Sequence, residues 1–106
     1  MLDIKKLLTK IVNDFHGAVS SRAQSFGAST SIAPTKNGWL VATATASSST
    51  GVAPVIRIQD GNSILSEGVG IASQGTALNC GAPVRAGSTY TINCYRCSIS
   101  NAILYY

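Results

Sequence analysis

The spacing of hydrophobic residues changes abruptly near Gly17. Before that point, apolar residues recur at steps of four, three, four and three, at Ile4, Leu8, Ile11, Phe15 and Ala18. This is the alternation of d and a positions in a heptad, and on a helix it forms one apolar stripe. The rest of the chain is typical of short strands separated by turns. The pattern predicts a short oligomerising helix followed by a β head.

The residues of the stripe favour more than two associating helices. Leu7 and Val12 widen it, and isoleucine at d with leucine at a shifts the preference toward three or four strands. The segment is only about 25 Å long at about 1.5 Å per residue, too short to hold an oligomer unaided, so the head has to contribute. The alternative is an amphipathic helix that folds back onto its own domain. Gly17 is a candidate C-cap, but the pattern also allows the helix to continue past it.

The head shows strand signals at regular intervals. Thr alternates with Ala in residues 39–46, and residues 55–59 form a second strand, closed by the hairpin signal Asp60-Gly61 with a return at 64–65. Residues 68–71 are expected to be a bulged or closely approached strand, and residues 89–95 and 99–106 complete the set. Seven or eight short strands predict an antiparallel β-sandwich or jelly roll. We therefore expect a mainly β protein with an oligomerisation helix at residues 1–20 and a β-sandwich head at 21–106.

Two segments of the head resemble a known family. Residues 32–40, IAPTKNGWL, are similar to the T-A-P-x-D/N-G-W/Y entry to the head domains of tailed-bacteriophage fibres and related virion appendages. Residues 82–92, APVRAGSTYTI, are similar to the P-V-x-x-G-D-x-Y-x-I hairpin of the same domains. The apolar strand at residues 102–106 also resembles the last strand that those domains often have. The resemblance covers residues 32–106 loosely. It departs from the pattern at Ser88, where an acidic residue is usual, which puts a shared ion-binding role in doubt.

The resemblance carries expectations about assembly and location. Such proteins are commonly trimers with a helical or fibrous stem and a β-sandwich head. It implies a homotrimer located in the virion, made in the cytoplasm of a bacterial host, which contacts other virion subunits and a host-surface glycan or protein. Weak contacts made by one head are multiplied in a trimer by effective concentration, so that no deep pocket is required.

The charge content agrees with a chain that is partly covered in an assembly. Only 11% of the residues are charged, against about a quarter in ordinary soluble domains. The net charge of +4 does not indicate nucleic-acid binding, because three of the eight basic residues lie on the helical segment and the others are scattered. The sequence shows neither the pattern of a secretory signal nor an apolar run long enough for a membrane span, so we expect neither.

Three cysteines, Cys80, Cys94 and Cys97, raise the question of metal or redox chemistry. Cys94 and Cys97 have C-x-x-C spacing, but they fall in a predicted strand, where a separation of three places side chains on opposite faces. A structural zinc site needs four ligands, and only Cys80 and the distant His16 remain. We expect buried free thiols, with no metal and no cofactor.

Catalytic residues are not evident in the sequence. His16 is the single histidine and belongs to the helical segment, and a carboxylate pair in the head would have to be Asp60 and Glu67. Asp60 is better explained by its turn with Gly61. The sequence therefore predicts a protein that is not an enzyme.

These observations favour a homotrimeric bacteriophage or prophage virion protein, a fibre or a tail or head appendage that projects from the particle and contacts the host surface. Receptor contacts are expected in loops at the end of the head away from the helix, with Ser48, Ser49, Thr50, Asp60 and Asn62 as candidates.

Two other functions remain open. A purely structural decoration protein would bind only other virion subunits. A carbohydrate-binding module would need exposed aromatic residues, and the candidates are Trp39, Tyr90, Tyr95, Tyr105 and Tyr106. For Trp39 we favour a core or subunit-interface anchor over a sugar platform, because it follows a turn directly at the start of a strand.

Overall fold

A computed structural model describes residues 3–9, 22–47 and 51–106 of the chain. Helix α1 spans residues 4–9. Asp3 caps its first turn, since the backbone N–H of Lys6 donates to Asp3 Oδ1 at 3.2 Å and the N–H of Leu7 donates to the Asp3 carbonyl at 3.1 Å. A side-chain oxygen at this position satisfies one of the amide groups that a helix leaves open at its start. The helical prediction is thus confirmed for residues 4–9.

In the described part of the chain, eight strands form two four-stranded antiparallel sheets. The strands are β1 (Ala23–Gly27), β2 (Ser31–Ile32), β3 (Gly38–Ala46), β4 (Val55–Asp60), β5 (Ser63–Val69), β6 (Ala77–Val84), β7 (Tyr90–Tyr95) and β8 (Cys97–Tyr105). Sheet A has the order β1-β8-β3-β6 and sheet B the order β2-β7-β4-β5. The predicted mainly β sandwich is confirmed.

The strand order shows how the chain is wound. β1 pairs with β8, β2 with β7, β3 with β6 and β4 with β5, so that each pair is nested inside the one before it. Nested pairs shared between two facing sheets are the arrangement of an eight-stranded jelly roll. The innermost pair is the hairpin predicted from Asp60-Gly61, and Gly61 has φ +59° at the first of its two central positions, where a type II′ turn takes glycine.

The core combines small and large residues from sheet A with large residues from sheet B. In β3 the buried residues alternate with half-buried ones, as the Thr and Ala pattern predicts. Sheet A contributes Ala42, Ala44, Ala82 and Ala102 to the buried cluster, together with Leu40, Leu78, Val84 and Leu104. Ile56, Ile58 and Ile92 of sheet B face them. Short side chains on one sheet leave room for branched ones on the other, which allows close packing.

The two ends of the sandwich are held by different loops. At the entry end, where β1 begins, the Gly87 N–H donates to the Pro34 carbonyl and the Ala86 N–H to Asn37 Oδ1. At the distal end, the Gly75 N–H donates to the Ala46 carbonyl. The entry end therefore joins the β2–β3 and β6–β7 loops, and the distal end joins the β3–β4, β5–β6 and β7–β8 connections.

Candidate interaction surfaces

The apolar side of helix α1 is exposed. Ile4 is 65% exposed, Leu8 57% and Leu7 43%. The alternative that the helix folds back onto its own domain requires these side chains to be covered by the head, and they are not. The remaining heptad positions, Ile11, Phe15 and Ala18, lie outside the described residues.

A second apolar surface lies on the outer side of sheet A. Tyr105, Trp39 and Pro83 are cross-strand neighbours on β8, β3 and β6 at the entry end. The next row of outward-facing residues contains Ile103 and Val41. We call these five residues the sheet A face. Cross-strand neighbours on one side of a sheet are about 5 Å apart, so they form one continuous patch.

Trp39 is the central residue of the sheet A face. Its side chain is 49% exposed, and the indole lies across the backbone of Gly81. A Cβ atom at position 81 would lie only 2.6 Å from Trp39 Nε1, so the absence of a side chain there leaves room for the indole. The prediction that Trp39 is a core anchor is wrong for this chain alone, and the interface and sugar-stacking alternatives remain.

The rest of the outer side of sheet A is polar but uncharged. Toward the distal end it carries Thr43, Thr45, Asn79 and Ser100, and Thr45 Oγ1 and Ser100 Oγ share a hydrogen bond of 2.9 Å. None of the residues in the four strands of sheet A is Asp, Glu, Lys, Arg or His. The surface thus offers apolar contact and neutral hydrogen-bonding groups only.

The outer side of sheet B has a different character. Arg57 pairs with Glu67 at 2.6 Å, and its guanidinium lies 5.1 Å from the centre of the Tyr95 ring. The hydrogen bond to the Glu67 carboxylate raises the pKa of Arg57 above its ordinary value. Asn93 Nδ2 donates to Gln59 Oε1 on the same side of the sheet. Exposed ion pairs of this kind contribute little to stability. The edge strand β5 of the same sheet also exposes Ile64, Leu65 and Val69, so charge, and not apolar exposure, distinguishes the two sheets.

The candidate receptor residues can be placed only in part. Asp60 and Asn62 belong to the β4–β5 hairpin, which lies at the entry end because Gln59 pairs with Thr91 beside Tyr90, the first residue of β7. This is the end where β1 begins and not the end away from it. Ser48, Ser49 and Thr50 lie outside the described residues.

The aromatic candidates for sugar binding are also divided. Tyr90 is buried, and its hydroxyl accepts the Arg85 N–H at 2.8 Å. Tyr95 is exposed on sheet B, whereas Trp39 and Tyr105 are neighbours on sheet A. Tyr106 is exposed just beyond β8. Only the pair Trp39 and Tyr105 forms an aromatic platform of two adjacent residues.

The C-x-x-C segment is a tight turn between the sheets. β7 ends at Tyr95, Arg96 adopts φ +58° and β8 begins at Cys97. Both Cys94 and Cys97 therefore pack against the core, and the prediction that they occupy opposite faces of one strand is wrong because the strand breaks between them. All three thiols are free, as predicted, but only that of Cys80 is buried, and those of Cys94 and Cys97 are half-buried. Within the described residues, no three His, Cys, Asp or Glu side chains are grouped so that they could hold a metal ion.

The thiol environment gives a pH-dependent prediction. Burial, assisted by the neighbouring Cys97 thiol, raises the pKa of Cys94 from 9.0 to about 12. Above pH 9 the folded state therefore keeps a proton on Cys94 that the unfolded state loses. The contribution of Cys94 to the free energy of unfolding is complete below pH 9 and is lost as the pH rises toward 12. We expect the free energy of unfolding to fall more steeply between pH 9 and pH 10.5 in the wild type than in Cys94→Ala. Urea unfolding at a series of pH values measures this, and parallel profiles would contradict it.

The comparisons with known proteins do not supply a family. No family model matches the chain, and no curated protein matches it. In the part of the chain that the structure describes, no helix is both long and apolar enough to cross a membrane.

Sequence reasoning missed the sheet A face as a surface. The signal was present, since the outward positions of β3 and β8 include Trp39, Val41, Ile103 and Tyr105, with no charged residue between them. This signal was not decisive. Alternation separates the side chains on the two sides of a strand, but when both sides carry apolar residues it does not show which side faces the core.

Proposed function

We propose that this chain is a non-catalytic, homotrimeric structural protein of a bacteriophage or prophage virion. Its N-terminal helices associate, and its jelly-roll heads project from the particle as a fibre or as a tail or head appendage and contact the host surface. The observation that carries the proposal is the exposed apolar side of α1 in front of a jelly-roll head. Ile4 and Leu8 have the spacing of a heptad seam and are not covered by their own head.

The location of the two family-like segments supports the proposal. Residues 32–40 and 82–92 are far apart in the chain, yet they meet at the entry end through the hydrogen bonds from Gly87 to Pro34 and from Ala86 to Asn37. They form one structural unit at the end where the chain enters the head. Two family-like segments that contact each other support the resemblance more strongly than two segments that lie apart in the structure.

A carbohydrate-binding module is the second candidate, and a specific observation favours it. Trp39 is half-exposed and is the cross-strand neighbour of Tyr105, with neutral hydrogen-bonding side chains further along the same side of the sheet. Aromatic rings of this kind combine an apolar surface with a polar edge. In this function the protein would be a monomer, and its tryptophan fluorescence would change when a sugar is added.

The first test is the mass of the full chain in solution, measured by light scattering over a range of concentrations. We expect three times the chain mass of 10.9 kDa. A monomer at every concentration would overturn the proposal and favour the carbohydrate-binding module. A trimer would justify a screen of host-surface glycans as the next step.

A further inference from the structure

We infer that the sheet A face is the contact between heads, and that its partner is a second copy of this chain. The inference rests on the proposed trimer and adds the surface through which the heads meet. In this arrangement sheet A faces the threefold axis, and sheet B, with the Arg57–Glu67 pair, faces solvent.

The distribution of charge distinguishes the two sheets. The strands of sheet A contain no ionisable Asp, Glu, Lys, Arg or His, while those of sheet B contain Arg57, Asp60 and Glu67. Centres of interfaces are depleted in charged residues and enriched in tryptophan and tyrosine. Trp39 and Tyr105 on an uncharged surface match this composition, whereas the ion pair on sheet B does not.

The covalent chain holds this surface near the other copies. Five residue steps separate Ala18, the last heptad position, from Ala23, so the two are at most about 18 Å apart. Ala23 pairs with Tyr105, and Tyr105 pairs with Trp39, which places Trp39 two strands away from Ala23, at about 10 Å. If the helices associate along their seam, Trp39 of each head lies within about 28 Å of that seam, a distance at which sheet A of one head can reach another.

The size of the surface fits a partner that also contributes its helix. The outer side of sheet A measures at most roughly 30 by 20 Å, from nine-residue strands and four strand widths. Half of this area is well below the about 800 Å² per partner of a standard interface, so each contact needs the helix as well. A threefold ring needs two different patches on each copy, and the β1–β8 and β3–β6 halves of the sheet provide them.

The fluorescence of Trp39 can report the contact, because Trp39 is the single tryptophan in the chain. The experiment records light-scattering mass and acrylamide quenching of Trp39 fluorescence on the same full-length samples across a dilution series. We expect the trimer to protect Trp39 and to show blue-shifted emission, and we expect this protection to be lost as the mass falls to that of the monomer.

Charged substitutions locate the contact while leaving Trp39 in place as the reporter. Pro83→Lys, at an exposed position on the edge strand beside Trp39, and Ile103→Lys are expected to lower the mass and expose Trp39. Val69→Lys, an exposed apolar position on sheet B, is the matched control and is expected to remain trimeric. Pro83→Lys is the safer variant for folding, since its side chain lies at the surface.

The possible results separate the inference from the proposed function. A wild-type trimer in which Trp39 is quenched as readily as in the monomer would overturn the inference alone. Persistence of the trimer in Pro83→Lys and Ile103→Lys would do the same. A wild type that is monomeric at every concentration would overturn both, and loss of the trimer in Val69→Lys as well would show that the contact is not specific to sheet A.

Discussion

We expect the full-length double variant Ile4→Lys, Leu8→Lys to be largely monomeric at concentrations where the wild type is a trimer. Both residues lie on the exposed side of α1 and occupy d and a positions of the predicted seam. In the proposed trimer each substitution removes apolar burial in every copy and places a charge where the three helices would meet, and the loss of one large buried side chain alone costs about 2–5 kcal/mol. The concentration of half-dissociation should rise by at least about a hundredfold. Light scattering and sedimentation of the two proteins measure this.

The matched control adds the same charges to the outer side of the helix. Thr9→Lys with Asn13→Lys introduces two lysines at positions b and f of the heptad, which face away from the seam. This variant should remain a trimer. Equal dissociation of the two variants would show that net charge, and not the seam, controls assembly, and an unchanged mass in both would show that the helices do not hold the trimer.

The head could be predicted from the sequence wherever alternation and turn signals agree. Buried and half-buried positions alternate in β3, and the hairpin at Asp60-Gly61 joins the innermost pair of strands. β1, β2 and the full length of β6 were not predicted. β2 has only two residues, too few for a period to be seen, and β6 contains Gly81 and Pro83, which lower strand propensity although an edge strand tolerates them.

The exposed surfaces could not be predicted from the sequence, because the pattern of apolar residues does not show which side of a strand the second sheet covers. Alternation places Trp39 and Leu40 on opposite sides of β3, but only the position of the second sheet shows that Leu40 is inside and Trp39 outside. The break at Arg96 was also hidden, because a non-glycine residue at φ +58° has no strong sequence signal. Both features arise from long-range packing and not from local preference.

Gly68 shows where a local pattern and a tertiary contact coincide. The sequence predicted a bulged or closely approached strand at residues 68–71. The strand ends at Val69, so the strand is confirmed only for residues 68–69, and the close approach is confirmed at Gly68. A Cβ atom at position 68 would collide with the backbone carbonyl of Asn79 and would also lie 3.1 Å from Ile56 Cγ2. This is the corner where β5 of sheet B meets β6 of sheet A, and the Gly81 N–H donates to Ser66 Oγ across it at 3.2 Å. The absence of a side chain allows the two sheets to close.

Gly68→Ala should therefore be the most destabilising single methyl addition to the head. Overpacking usually costs about 1–3 kcal/mol, and we expect at least about 3 kcal/mol here, because the obstacle is a backbone carbonyl that cannot rotate away. The control is Gly87→Ala, where φ is +85° but a Cβ would meet nothing within 4 Å, so that only conformational strain of about 1 kcal/mol is added. Urea unfolding of both variants measures the difference. If Gly87→Ala were the more destabilising of the two, the close approach of β5 to β6 would not be what requires glycine at position 68.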